Sequence, residues 1–226
     1  ERTKARKSSS QSGDLFYLER EIFKEIQADA QIWAKRSLRL YMVTGPPGVG
    51  KSEFTVWLAG ILRMPIYRLS LTMESLTDAR LAQLLSQNMM KHEAVVVQID
   101  EFQEVLSGWK KACKKISVTP GGFNEVLQGS ATLAKGVIVL TGTADVASAA
   151  HRRAYPALFR RFQLQIKLEH LEIEDTVRFF RSFLSEFVDN SDWEQRFRAC
   201  VEEYELGHVS IDMIKQLLMR RITTAS

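Results

Sequence analysis

The sequence predicts an α/β fold, in which a parallel five-stranded sheet is sandwiched by helices and followed by a small all-helical domain. Between residues 38 and 168, apolar segments of strand length alternate with stretches of helical periodicity. One of these strands runs into a glycine-rich turn that opens a helix. Beyond residue 170, helical patterns follow one another with no strand between them. Strands separated by helices are typical of a parallel sheet covered on both faces.

The predicted elements follow in chain order. Five apolar segments predict the strands Leu38–Thr44, Ile66–Leu71, Ala94–Ile99, Val137–Thr141 and Phe162–Leu168. Helical spacing of apolar residues predicts the helices Leu15–Lys35, Ser52–Leu62, Leu76–Met90 and Gly122–Ala134. Three further helices, Glu172–Val188, Asp192–Tyr204 and Ser210–Arg221, form the predicted lid. We therefore expect an α/β domain over residues 15–169 and a helical lid over 170–226. Residues 1–14 are basic and serine-rich, which predicts a disordered tail.

Composition excludes several classes of protein. Hydrophobic residues make up 45% of the 226 residues and charged residues 26%, which is ordinary for a globular chain. No apolar run approaches the roughly 18 residues that a membrane helix needs. A signal peptide is not expected either, because no apolar stretch follows the charged N-terminus. Cys113 and Cys200 are the only cysteines and form no metal-binding spacing, which favours a reducing intracellular compartment, either the cytoplasm or an organelle.

The glycine-rich turn predicts a phosphate site. Its residues are Gly45, Pro46, Pro47, Gly48, Val49, Gly50, Lys51 and Ser52. This pattern, placed after a strand and before a helix, is that of a P-loop. Glycines allow backbone N–H groups to turn toward the β-phosphate of ATP, and the helix N-terminus adds partial positive charge. Lys51 is expected to reach the β- and γ-phosphates, and the Ser52 hydroxyl to bind Mg²⁺.

Two carboxylates end the third predicted strand. Asp100 and Glu101 follow an apolar run, and one strand and one helix separate them from the P-loop. Side-chain alternation sends adjacent residues in different directions. We therefore expect Asp100 to hold Mg²⁺ through its water shell and Glu101 to act as the general base on the attacking water.

Two threonines lie at the end of the fourth predicted strand, and two arginines precede the fifth. The fourth strand ends in small polar residues, so the hydroxyl of Thr143 or of Thr141 is expected to contact the attacking water. Arg160 and Arg161 stand at the entrance of the fifth strand. An arginine supplied by a neighbouring subunit can stabilise the charge of the transition state. The alternatives are a turn beginning at Thr143 and an ordinary surface arginine pair.

These motifs, in this order, resemble those of AAA+ ATPases over residues 15–222. Several stretches are similar to the Bcs-type AAA family, which contains the mitochondrial Rieske-protein translocase. They are Tyr67–Leu71, Ser75–Leu81, Val118–Gly129 and Val209–Ile214. The resemblance implies ATP and Mg²⁺ as cofactors, a ring of six or seven protomers, and an arginine finger at Arg160 or Arg161. Three features depart from the family pattern: Thr143 stands at a sensor position that is usually Asn, no Pro-Gly separates the two arginines, and no arginine of the predicted lid obviously serves as a second sensor.

The partner of the motor is open at this point. Trp109 lies among four lysines, Lys110, Lys111, Lys114 and Lys115, in a segment expected to face the ring axis. These side chains could follow a phosphate backbone while Trp109 stacks on a base, or form a solvated basic helix with Trp109 tucked onto the sheet. The family resemblance favours remodelling or translocation of a protein substrate. A nucleic-acid motor similar to superfamily 3 helicases is the alternative, because Ala157–Phe162 also resembles that group.

Overall fold

The computed structural model describes residues 21–70, 77–89, 91–111, 118–133, 135–170, 172–175, 177, 195 and 198–199. The predicted tail over residues 1–14 and most of the predicted lid over 170–226 therefore lie outside the described residues. In the lid region, Arg198 forms a two-pronged ion pair with Glu174, at 2.7 and 3.0 Å. None of the helices in the described residues is long and apolar enough to cross a membrane.

The five predicted strands form one parallel sheet. They are β1 (Leu38–Thr44), β2 (Ile66–Ser70), β3 (Val95–Asp100), β4 (Gly136–Gly142) and β5 (Leu164–Lys167). Their spatial order is β2-β3-β4-β1-β5, and every pair is parallel. The carboxyl ends of β1, β3 and β4 therefore meet at one edge of the sheet, which is where ligands bind in open α/β folds.

Helices cover both faces of this sheet. They are α1 (Glu21–Trp33), α2 (Lys51–Leu62), α3 (Asp78–Met89), α4 (Phe102–Lys111), α5 (Pro120–Leu133), α6 (Ala149–Ala154) and α7 (Pro156–Phe159). A 3-10 turn, Ala144–Ala147, links β4 to α6. The sequence pattern predicted the first three of these helices and α5. It did not predict α4, α6 or α7.

Side-chain alternation divides the core into two layers. Val95, Val97 and Ile99 of β3 pack toward α3, α4 and α5, together with Leu40 of β1 and Leu140 of β4. The intervening residues face α1 and α2, where the core contains Tyr41, Val96, Val139, Phe54 and Leu58. On this second face, the polar residues Gln98, Asp100 and Thr141 continue the row toward the carboxyl edge of the sheet, because they occupy alternate positions of their strands.

One polar cluster fixes α1 against β1. Asp29 accepts hydrogen bonds from the Tyr41 hydroxyl at 2.6 Å and from two nitrogens of Arg39 at 2.8 and 3.3 Å. Burial, reinforced by the bond to Asp29, raises the pKa of the Tyr41 phenol far above its usual value of 10.0. The folded protein therefore keeps this proton at a pH where the unfolded chain loses it.

Replacing Tyr41 by Phe is expected to make the free energy of unfolding fall less steeply as the pH rises above about 10. Because the folded-state pKa is raised, the contribution of Tyr41 is complete below about pH 10 and is lost as the pH rises further. At pH 7, Tyr41→Phe should cost about 1–3 kcal/mol through the lost hydrogen bond to Asp29. Urea unfolding at a series of pH values measures both effects. Tyr67→Phe, at a surface phenol bonded to His92, is the control, and parallel pH profiles for wild type and Tyr41→Phe would contradict the expectation.

Candidate nucleotide-binding site

The turn between β1 and α2 has the backbone of an anion cradle. Gly48 and Gly50 adopt φ angles of 74° and 90°, a left-handed conformation that residues with a Cβ rarely take. Gly50 is the N-cap of α2, so the first N–H groups of that helix face the turn. The Lys51 ammonium donates to the carbonyl oxygens of Gly45 at 2.9 Å and Pro46 at 2.7 Å. The cradle and its lysine therefore lie together, as a triphosphate site requires.

The start of this turn is fixed by the ends of two strands. Gly45 N–H donates to the Gly142 carbonyl at 3.2 Å, at the end of β4. A Cβ on Gly45 would lie 2.3 Å from the backbone oxygen of Leu168, just beyond β5. Only a glycine fits between these backbones, and the phosphate cradle is consequently anchored to the sheet.

Gln98 joins the two residues predicted to hold the metal. Its Nε2 donates to Ser52 Oγ at 3.2 Å, at the start of α2, and to Asp100 Oδ2 at 3.3 Å, at the end of β3. Asp100 Oδ1 accepts from the Thr141 hydroxyl and from the Glu101 backbone N–H, the latter at 3.1 Å. The sequence predicts Gln98 as part of the strand Ala94–Ile99 and assigns it no role. Its position two residues before Asp100, and therefore on the same face, is the signal that identifies it.

The arrangement fits Mg²⁺. Ser52 and Asp100 offer a hydroxyl and a carboxylate oxygen, the hard donors that Mg²⁺ prefers, beside the phosphate cradle. Gln98 Nε2 bonds to both of these oxygens and keeps them close to each other. Because Mg²⁺ in such sites uses one or two protein oxygens together with water and phosphate oxygens, this donor set suffices.

Glu101 lies at the mouth of this site. Its φ angle of 58° places it in the left-handed region, so the chain turns sharply where β3 ends and α4 begins. The side chain is exposed, and its carboxylate accepts no hydrogen bond from the described residues. Left-handed geometry at a residue other than glycine is often associated with functional sites. Glu101 is exposed whereas Asp100 is half-buried, and the role of Glu101 as general base stays a prediction.

The two threonines of the β4 region have different surroundings. Thr141 is buried and its hydroxyl donates to Asp100. Thr143 is half-buried, its hydroxyl donates to Asp145, and its backbone N–H donates to Gln103 Oε1 at 3.3 Å. Thr141 therefore holds Asp100, the residue predicted to bind the metal, whereas a sensor role for Thr143 stays a prediction.

Arg160 and Arg161 also have different surroundings. Arg161 Nε donates to Asn124 Oδ1 at 2.5 Å and Arg161 Nη2 to Gln128 Oε1 at 3.1 Å, which ties it to α5 of its own chain. Arg160 is exposed just after the single-turn helix α7, and its guanidinium donates to no described residue. Of the two, Arg160 is the one available to another molecule.

Trp109 lies in an aromatic cluster. Its ring centroid is 5.1 Å from that of Tyr155 and 5.9 Å from those of Phe102 and Phe123, and its indole N–H donates to the Val118 carbonyl at 2.7 Å. The half-buried indole ring therefore packs within its own domain, which favours the second of the two alternatives given for this segment. Lys110 and Lys111 end α4, whereas residues 114 and 115 lie outside the described residues.

The site combines a P-loop that opens a helix with an acidic residue at the end of a parallel strand, and Gln98 links the two. These features place the domain in the class of P-loop nucleotide-hydrolysing proteins. Residues 41–170, more than half of the chain, match the model of the ATPase family associated with various cellular activities (AAA). The chain belongs to the AAA family, and this region is an ATPase domain of that family. The predicted fold is thereby confirmed for the α/β domain.

Known relatives and structures agree with this assignment. The chain is 56% identical over 48 residues to the mitochondrial chaperone BCS1 of Bos taurus, covering 21% of this chain and 12% of that protein. It is 32% identical over 108 residues to a probable mitochondrial chaperone BCS1-B of Dictyostelium discoideum, covering 46% and 24%. The predicted similarity to Bcs-type proteins is confirmed, although the matches span a quarter or less of these relatives. The FIGL-1 AAA domain in complex with ADP superposes with a TM-score of 0.58 at 21% identity, covering 83% of this chain and 66% of that one, and supports the fold.

Proposed function

We propose that this domain works as a ring that couples ATP hydrolysis to the remodelling or translocation of a protein substrate. The observation that carries the ATP-hydrolysing part of the proposal is the convergence of Ser52 and Asp100 on Gln98 beside the P-loop, with Glu101 at its mouth. The curated relatives carry the name of mitochondrial chaperone, which favours a protein substrate.

Each group has a role in this proposal. The backbone N–H groups of Gly48–Ser52 and the Lys51 ammonium bind the phosphates and hold the γ-phosphate in place. Ser52 and Asp100 hold Mg²⁺, which when bound neutralises charge on the phosphate oxygens. Glu101 takes the proton of the attacking water, and Thr143 orients that water through its hydroxyl.

The exposed Arg160 supports the proposal of a ring. An exposed guanidinium with no partner among the described residues of its own chain can complete the site of a neighbouring protomer, where the transferring phosphoryl group gains negative charge. Arg161 instead donates to Asn124 and Gln128 of α5 within its own chain. In this proposal, each site takes Glu101 from one subunit and Arg160 from its neighbour.

The proposal is tested by measuring ATPase activity of the purified chain over a range of protein concentrations, together with its mass in solution. Specific activity is expected to rise with concentration as protomers assemble, with a Lys51→Ala chain as the inactive control. A constant specific activity from a monomer in the presence of Mg²⁺ and ATP would contradict the ring.

The same assay separates the two classes of substrate. We expect an unfolded protein to stimulate turnover and single-stranded nucleic acid to have little effect, because Trp109 packs against Phe102, Phe123 and Tyr155. Stimulation by nucleic acid that disappears between about 50 and 200 mM salt would instead support a nucleic-acid motor.

A further inference from the structure

Gln98 is an anomaly in the strand that carries it. Its neighbours in β3, namely Val95, Val96, Val97 and Ile99, are fully buried and apolar, and the Gln98 side chain is fully buried as well. Burying a carboxamide is unfavourable unless its polar atoms find partners. An apolar residue would fill this position at lower cost, so the carboxamide must act through what it contacts.

The hydrogen bonds of the Gln98 carboxamide are all made by its nitrogen. Its Nε2 carries two protons, and its two acceptors are Ser52 Oγ and Asp100 Oδ2. Exchanging the nitrogen and oxygen would bring Oε1 against the Asp100 carboxylate, and two acceptors repel each other. The orientation with the nitrogen toward both oxygens is therefore the chemically consistent one.

The oxygen of the Gln98 carboxamide gains no hydrogen bond from the described part of the fold. Oε1 is buried and accepts no hydrogen bond from the described residues. A buried acceptor left in this way destabilises the folded protein. Gln98 therefore lowers the stability of the fold through its Oε1. The same side chain, through its Nε2, joins the start of α2 to the end of β3.

We propose that Gln98 is a positioning residue that sets the separation of Ser52 and Asp100 for Mg²⁺; this inference rests on the proposed function. Ser52 lies on α2 and Asp100 on β3, so their relative position depends on the packing of two separate elements. Thr141 and the Glu101 N–H hold Asp100 Oδ1, whereas Gln98 holds Oδ2 and links it to Ser52. Removing the link leaves Ser52 Oγ and Asp100 Oδ2 without a common partner, so their separation is no longer fixed by a direct contact.

The test is Gln98→Met, which keeps the length of the side chain and removes both N–H donors. The affinity for a fluorescent ADP analogue is measured in EDTA and across a Mg²⁺ titration, together with the melting temperature. The metal-free affinity should match wild type, and the melting temperature should be unchanged or higher because the unpaired Oε1 is gone. The Mg²⁺ concentration at half-effect should rise about 10–100-fold, the usual consequence of losing a residue that orients a metal ligand.

Gln165→Met is the matched control, since it makes the same replacement at an exposed position of β5. Gln98→Leu is a second variant with the same expectation. A folded Gln98 variant with wild-type Mg²⁺ dependence overturns the inference while leaving the proposed function intact. If neither variant folds, the carboxamide serves the fold and the inference is also overturned. A wild-type chain whose nucleotide affinity ignores Mg²⁺ instead overturns the proposed function itself.

Discussion

Glu101→Gln is expected to lower the rate of ATP hydrolysis by roughly 10²–10⁴-fold, the usual contribution of a general base, while nucleotide affinity stays at the wild-type value. The amide has the size of the carboxylate but cannot take a proton from water. Because the Glu101 carboxylate accepts no hydrogen bond from the described residues, the substitution removes no contact of the described fold. Single-turnover hydrolysis, nucleotide binding and the melting temperature measure these three effects separately.

The control for this experiment is Glu104→Gln. Glu104 is also exposed and lies in the first turn of α4, so its replacement changes the charge by the same amount close to the same place. Its turnover should stay near wild type. Equal losses in the two variants would indicate that the local charge matters rather than a proton acceptor at residue 101. Normal turnover in Glu101→Gln would exclude Glu101 from the chemistry.

The parts of the site that the sequence predicted are those determined locally. The P-loop is a continuous segment whose left-handed positions are occupied by Gly48 and Gly50. Strands buried on both faces are nearly continuous apolar runs, which is why β1, β3 and β4 were placed within about a residue of their observed ends. Asp100 and Glu101 followed directly from the end of β3.

The parts that the sequence did not predict depend on packing between distant segments. The role of Gln98 requires that α2 lie against β3 so that Ser52 comes within reach. Which arginine is available depends on α5, because Asn124 and Gln128 bind Arg161 and leave Arg160 exposed. Helix α4 is different, because Phe102, Val105, Leu106 and Trp109 follow the i, i+3, i+4, i+7 spacing of one helix face, so its signal was present in the sequence and was overlooked.

Arg160→Ala is expected to reduce turnover by about 10³–10⁵-fold, the usual effect of losing an arginine finger. Arg161→Ala should instead lower the melting temperature, because it breaks two hydrogen bonds to α5 within its own chain. ATPase rates and thermal unfolding of the two variants assign the roles. If Arg161→Ala loses turnover while Arg160→Ala keeps it, the assignment is reversed.

Mixing two inactive variants tests whether Arg160 acts on a neighbour. A site built from an Arg160→Ala protomer has Glu101, and a Glu101→Gln neighbour can supply Arg160 to it. Random assembly of equal amounts should restore roughly a quarter of wild-type activity, since half of the protomers have the base and half of their neighbours have the arginine. A double variant lacking both groups, mixed with Arg160→Ala, should restore none. If the first mixture is equally inactive, Arg160 does not complete a neighbour's site, because an arginine acting within its own protomer cannot be replaced from outside.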